Sequence, residues 1–444
     1  MNFLGVIAGC VGRIVPSQNM QEVSFIRQWT FALVLLLSSF SSAGARETIA
    51  GFLQDKSVLR LTVGKEVFVF DTNDLAQIYG PRQFRPLWFD ENGRMINRAL
   101  YLKGAIGLAE EWALTSKEYW TPMIQSLFSQ AQAQIGSGTA YPYWITVEFL
   151  LSDALLRFFR DIGTGKIAGS LVEEEFRVDL KRLRPEDFTN ISNFLTNEGL
   201  DSKAFSEGWN QVAASVGPQH EIYLELLTAY RRIRKFDPTV WTSTALNLTL
   251  VEGVTHPSVS EIRHKLFVLG YLVKDNQSAQ FDAEIVGVVR RLQEWNLLKV
   301  DGTISPAGET LRFLNIPLLS RLRQIEISLD KIRNMPNNWG SHFVFVNSAA
   351  AEISDWSASA QDGRSKFNYY MRGVVGRIER RTPTKRDFIR EAILNPTWTV
   401  PRSLLRKDKI NNLIKDPHWA DSAGFRFYFD GEETSPSNIP WSID

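Results

Sequence analysis

Cysteine is nearly absent from this sequence: a single residue, Cys10, in 444. One thiol excludes an intrachain disulfide and any cysteine-built metal cage. Histidine is scarce as well. His220, His256, His264, His342 and His418 are scattered, and no spacing among the five matches HExxH or a comparable ligand pattern. No metal and no cofactor is therefore expected. Neither charge is in excess: Lys plus Arg number 50 against 49 for Asp plus Glu, a net charge of +1. That balance offers a nucleic acid no basic face to follow. Internal repeats, low-complexity tracts and apolar runs of the roughly 20 residues a membrane span needs are lacking too. What remains is a globular composition, 44 % hydrophobic and 22 % charged, with 13 Trp and 28 Phe to fill cores or line a groove. The length suits about three domains at roughly 100–200 residues each.

The first 45 residues read as a signal peptide. Arg27 precedes the run from Thr30 to Ala45, TFALVLLLSSFSSAGA, which ends in small residues. Ala43-Gly44-Ala45 supplies the small-x-small pattern that a signal peptidase cleaves, predicting a mature start at Arg46 and a periplasmic location. Met20 lies close upstream, so residues 1–19 read as an over-long start. Cys10 follows Ile7-Ala8-Gly9 as in a lipoprotein box but has no basic segment ahead of it, and is read as a leader residue. The mature chain is then free of thiols, and membrane contact arises only through an uncleaved leader.

The rest predicts an α+β protein in three parts. A mixed segment from Thr48 to Phe70 leads into Pro86-Leu87-Trp88, the turn Asp90-Glu91-Asn92-Gly93, and a helix capped by Asn97 with Ala99, Leu102, Ile106 and Ala109 on one face. A second helix, Thr146 to Ile162, stops at Gly163-Thr164-Gly165, and helical periodicity continues over 171–235. Residues 66–237 thus form a helical domain. After a connector from Pro238 to Thr255, a three-helix module follows over 256–316. Its first helix has Ser258 and Glu261 as a capping box, its second carries Ile285, Val288, Val289, Leu292 and Trp295, and its third has Ser305 as cap and Pro306 at the first position. A charged helix, Arg321 to Arg333, then gives way to strand-like runs at Phe343–Val346, Tyr370–Gly376 and Phe425–Phe429, so residues 340–444 are expected to be β-rich.

Together these segments resemble the periplasmic L,D-transpeptidase family with an N-terminal scaffold domain. The resemblance is carried by Pro86-Leu87-Trp88, by Leu150–Leu155 with Asp161-x-Gly163-x-Gly165-Lys166, and by Phe281-Asp282, Gln293, Leu297, Asp301-Gly302 and Leu314-Asn315 in a peptidoglycan-binding module. It is carried further by Val374-Val375-Gly376-Arg377, Arg381-Thr382-Pro383 and Asn395-Pro396-x-Trp398-x-Val400-Pro401. It spans residues 66–444 and implies cross-linking of peptidoglycan stem peptides, with peptidoglycan and other cell-wall synthesis enzymes as partners. The family's Ser-His-Gly-Cys nucleophile motif matches nothing up to Asp444, so residues 340–444 are read as an incomplete catalytic domain and no catalytic residue carries over. Two readings stay open: the front part of a wall enzyme, or a non-catalytic peptidoglycan-binding protein.

Other chemistries are weaker. Ser328-x-x-Lys331 fits SxxK but lacks a KTG companion, and reads as a solvated helix face. Gly163-Thr164-Gly165-Lys166 follows a helix and precedes Ile167, unlike a phosphate loop. His256 reads as a surface residue at a helix entry, and His342 has no visible acid partner. Trp295, Trp398 and Trp441 are expected in cores rather than stacked on glycan. Arg377, Arg380 and Arg381 form a cluster able to meet carboxylates. Arg377, Arg381 and Trp398 are the candidate stem-peptide contacts.

Overall fold

The computed structural model describes residues 44–54, 58–166, 183–335, 339–358, 365–383, 385–416, 418–422, 424–439 and 441. The leader residues up to Ala43, Cys10 among them, and the stretch 171–182 of the expected helical run lie outside the described residues. Two units are separated, residues 1–385 and 386–444.

The segment expected to be mixed is regular. Helix α1 (Ala45–Leu53) buries Ala45, Ile49 and Leu53, and strands β1 (Val58–Val63) and β2 (Glu66–Asp71) form an antiparallel hairpin around Gly64. Alternation puts Leu59, Leu61 and Phe70 inside and leaves Val67 and Val69 outside, so the first core begins ahead of residue 66. Asp71 accepts from the backbone of Asn73 and Asp74 to cap α2 (Thr72–Tyr79). Helix α3 (Asn97–Ile106) follows, with Ile96 and not Asn97 at its cap. A short helix α4 (Ser116–Tyr119) and α5 (Pro122–Gln132) lead to α6 (Trp144–Thr164), the central helix, buried on nearly every side. Helices α7 (Pro185–Thr196), α8 (Ser202–Val216) and α9 (Glu221–Ile233) complete the layer. Trp209 on α8 sits 4.6 Å from both Phe158 and Phe159 of α6, ring centre to ring centre.

The glycine stop after α6 serves a docking purpose. Gly165 has φ of +69°, and a Cβ there would lie 2.4 Å from the Asn334 amide. The Lys166 backbone N–H donates to Asp330 (2.7 Å), while its ammonium pairs with Glu118. The lysine is a tether between elements, with no phosphate-loop geometry around it.

The second core holds three helices: α10 (Pro257–Val268), α11 (Ala283–Trp295) and α12 (Glu309–Leu314). Two caps differ from expectation. His256, not Ser258, caps α10, its Nδ1 accepting from the Ser258 N–H. Helix α12 begins at Glu309 behind Gly308, because Ser305-Pro306-Ala307 is spent on a turn with Ala307 at φ of +55°. The connector also ends early, since Leu250 and Thr255 bridge to Ile304 and Gln280. Gln293 ties the module together. Its Oε1 accepts from the Asp301 and Gly302 N–H groups, and its Nε2 donates to Asp301, Thr303 O and Thr310.

Helix α13 (Leu318–Arg333) returns to the first core, packing on α9 and α6 through Leu318, Ile325, Leu329 and Ile332. It is not the solvated face its charges suggested, because Arg321 and Arg333 are fully buried. Arg333 donates to Trp112 O and the Tyr223 hydroxyl. Arg321 donates only to Phe313 O and stacks 4.4 Å from that ring, with Nε and Nη1 unmatched. Burial holds its pKa down at about 10. A buried guanidinium this poorly matched is commonly replaced by an apolar side chain without loss. The Phe313 carbonyl also keeps its bond from the Ile316 N–H. Arg321→Met is therefore expected to leave stability unchanged or raise it by about 1–2 kcal/mol; a melt showing a larger loss would count against this.

Strands β3 (His342–Asn347), β4 (Glu352–Ala358) and β5 (Ser365–Arg372) form an antiparallel meander. Phe343, Trp356 and Phe367 are cross-strand partners, and Trp356 joins the first core. Beyond Arg372 the β texture expected to the end is interrupted, and among the described residues it resumes only at Phe427–Phe429, within the expected run Phe425–Phe429. Residues 373–377 form no strand, and Val374 is fully exposed. Within 386–444 the described residues hold α14 (Arg402–Leu404), a π-helical turn, α15 (Ile410–Lys415), α16 (Trp419–Ser422) and one short hairpin, β6 (Phe427–Phe429) with β7 (Glu432–Thr434). The chain is α+β, with the strands confined to small sheets.

Candidate functional site

Two polar constellations are built around the loop from Tyr79 to Asn97. The first is sealed. Glu148 projects from the buried face of α6 and accepts from the N–H groups of Leu87 (2.5 Å) and Trp88 (3.0 Å) and from the Tyr79 hydroxyl (2.6 Å). One turn on, the Ser152 hydroxyl meets the Tyr79 hydroxyl (2.7 Å) and the Trp88 indole N–H (2.8 Å). Tyr79, Trp88, Glu148 and Ser152 are all fully buried. Burial pushes the Glu148 carboxyl up to about 7, against the pull of its donors, and pushes the Tyr79 phenol well up. Lacking any opening for a reactant, this knot fastens Pro86-Leu87-Trp88 to α6.

The second constellation is open. A groove of about 590 Å³ runs between α1, the loop after α2, the start of α3 and the end of α7. Arg46, Arg82, Arg85 and Arg98 line it, with Phe89, Ile96, Tyr101 and Leu200 as apolar wall. Arg82 and Arg98 are buried and both donate to Leu195 O, and Arg98 also reaches Asn197 O (2.7 Å). They thereby satisfy carbonyls left open at the C-terminal end of α7, where cations are favoured. Burial first and the Arg82 charge second hold the Arg98 guanidinium below its usual pKa. Glu198 is the carboxylate for this group, 3.2 Å from Arg82 and 4.0 Å from Arg85.

Residues 73–229 match the Scaffold domain family. The matched segment runs from α2 almost to the end of α9 and carries both constellations, apart from Arg46. No curated protein matches the sequence.

The residues singled out by sequence are placed elsewhere. Arg377 and Arg381 flank a single 3₁₀ turn in the first unit, both exposed on irregular backbone, while Trp398, 66 % exposed, belongs to the second unit. Trp398 is therefore not the core residue expected. Neither is Trp295, 40 % exposed at the end of α11, where its ring lies 5.8 Å from that of Tyr271. Trp441 does pack, against Phe427, with its indole N–H on Pro436 O. Ser328 is occupied, donating to Gln324 O, and Lys331 is exposed. His342 has the acid partner its sequence did not reveal: Nε2 lies 2.7 Å from Asp355, which also accepts from Asn368. Among the described residues no three His, Cys, Asp or Glu side chains gather as metal ligands, and no helix is long and apolar enough to cross a membrane.

One part of the missed knot had a sequence signal. Glu148 and Ser152 stand at i and i+4 on the apolar face of the Thr146–Ile162 helix, where a carboxylate must find donors or lose its charge. The arginine groove had none, because Arg46, Arg82, Arg98 and Glu198 converge only through the fold.

Proposed function

We propose that this chain is an exported peptidoglycan-binding protein of the L,D-transpeptidase lineage, holding the wall through its helical parts. The motif likeness over residues 66–444 carries the reading, and the Scaffold domain match over 73–229 agrees with the N-terminal domain that likeness implies. The motif likeness of residues 256–316 to a wall-binding module adds to it, as does the compact second core organised by Gln293 and the Asp301-Gly302 turn. Trp295 beside Tyr271, with Leu297 63 % exposed next to it, offers an amphipathic platform of the kind that meets sugar rings. The leader is cut after Ala45, within the first turn of α1, so the mature protein begins at Arg46 and is periplasmic.

Acyl transfer by the family's route needs a thiolate with a base in reach. The only cysteine is Cys10, in the leader segment. Intact-mass analysis of the mature chain after incubation with a carbapenem is therefore expected to show no adduct. A covalent adduct would overturn that expectation. The binding itself is tested by co-sedimentation of the mature chain with purified sacculi. Retention above that of a protein of similar size and charge supports the reading, and recovery equal to that control refutes it.

A further inference from the structure

The arginine groove holds more positive charge than its structural duty requires. Four guanidinium groups face three carboxylates, Asp90, Glu91 and Glu198. Two of those carboxylates are already committed: Glu91 to Arg46 at 2.8 Å, and Asp90 to Arg94 at 2.8 Å and to the backbone N–H groups of Asn92 and Arg94. Within the groove lining that leaves Arg82, Arg85 and Arg98 against Glu198, with the charge of the sealed Glu148 also acting on Arg98. The end of α7 presents about half a unit of negative charge, which one cation would answer. Two buried guanidiniums are placed there, and the Nε of Arg82 is buried with no hydrogen-bond partner. Arg85 is the outlier of the set. Its side chain is 47 % exposed, and the Glu198 carboxylate, 4.0 Å away, lies beyond hydrogen-bonding distance. The guanidinium fork is thus left for a carboxylate from outside, a planar group it can meet with two parallel bonds.

The wall of the groove narrows the ligand. Phe89 and Tyr101 lie beside the arginines, with Pro86 and Leu200 completing the apolar side. A bare inorganic anion would use none of this surface. A short peptide can set a free carboxylate on the arginines and its apolar side chains against this wall.

We propose that this groove is a peptide-binding site, taking the free carboxylates of wall stem peptides with Arg85 as the reading residue. The site lies in the Scaffold-matching segment, away from the β3–β5 sheet. Its assignment to wall peptides rests on the proposed peptidoglycan reading; its chemistry, a carboxylate held against an apolar wall, does not.

The test is calorimetric titration of the mature chain with a soluble stem tetrapeptide and with the same peptide fully amidated. Binding of the free acid is expected, at least tenfold weaker for the amidated form and for Arg85→Met, with Arg85→Lys between. Arg85 is half exposed, so the melting temperature of Arg85→Met should stay near that of the parent chain. Equal affinity for acid and amide, or an Arg85→Met variant that binds as tightly as the parent, would overturn the site. A non-wall peptide of matched charge and hydropathy separates the sources. Weaker binding of that peptide supports the wall assignment, whereas equal binding keeps the carboxylate site and removes the wall peptide from it. Sacculus co-sedimentation is read in parallel. Retention without Arg85-dependent peptide binding defeats the groove alone. Peptide binding without retention defeats the wall-binding reading alone.

Discussion

Replacing Glu148 with alanine is expected to lower stability by about 3–5 kcal/mol, because it strands buried donors rather than removing an exposed contact. The Leu87 and Trp88 N–H groups have Glu148 as their acceptor in a site without solvent, and Tyr79 would keep only Ser152. The loss appears as a lower denaturant midpoint with little change in slope. A loss under about 1 kcal/mol would mean that water reaches the site or the loop repacks. The same residue gives a signed pH dependence. Its folded pKa of about 7 lies above the roughly 4.3 of an unfolded chain, so the folded protein holds a proton that the unfolded chain releases between those values. This contribution is complete below about pH 4.3 and is lost as pH rises to about 7, an effect of about 4 kcal/mol. Burial raises the Asp153 and Asp161 carboxyls in the same direction. The Glu148 share is accordingly the difference between the profiles of the parent and Glu148→Gln. Parallel profiles would show that Glu148 does not titrate in this window.

The second large effect is expected at Gln293. Its amide is almost completely buried and makes five hydrogen bonds within the module, two accepted and three donated. Leucine fills nearly the same volume but answers none of them. The Gly302 N–H and Thr310 hydroxyl lose a buried partner, while Asp301 and Thr303 can turn to water. A loss of about 2–4 kcal/mol is expected from the unmatched groups. The module melts ahead of the first core, as a separate low-temperature transition in calorimetry. Parent-like melting of Gln293→Leu would show that the Asp301-Gly302 turn holds itself. Gly302, at φ of +74° and with Arg290 crowding the place of a Cβ, restricts what that turn can become.

Helical periodicity was readable wherever one face is buried and the other solvated, as over Thr146–Ile162 and Ile285–Leu292. Cap identity was not. Asn97 and Ser258 have the right side chains for caps, yet the chain enters α3 from Ile96 and α10 from His256, and only the entering backbone decides which residue faces the free N–H groups. The charges on α13 misled because a guanidinium on a long stem can sit in a core if carbonyls meet it, as Trp112 and Phe313 do. The run from Tyr370 to Gly376 has strand-forming residues on both sides of Gly373. Strand β5 nevertheless ends at Arg372, and propensity alone builds no partner strand for Val374 and Val375. Of the candidate site, the Pro86-Leu87-Trp88 loop was legible as a motif. The arginines that make it a groove were not, since residues far apart in sequence share no local pattern.

The return of α13 to the first core gives the second core the topology of an insertion. Thr244 and Asn315, its entrance and exit, are clasped by paired amide bonds of 2.9 Å, and the Lys265 ammonium bonds to both. The surfaces of α6 and α9 that Ile325, Leu329 and Ile332 cover stay bare until those residues dock, roughly a hundred positions after Ile233. Closing that apolar face therefore needs a contact of high sequence separation, which is slow to form unless the intervening chain is compact. The inserted module has a core of its own, and once folded it brings α13 back toward the place it must fill. The clasp at Thr244 and Asn315 thus shortens the span that closure of the enclosing domain has to bridge.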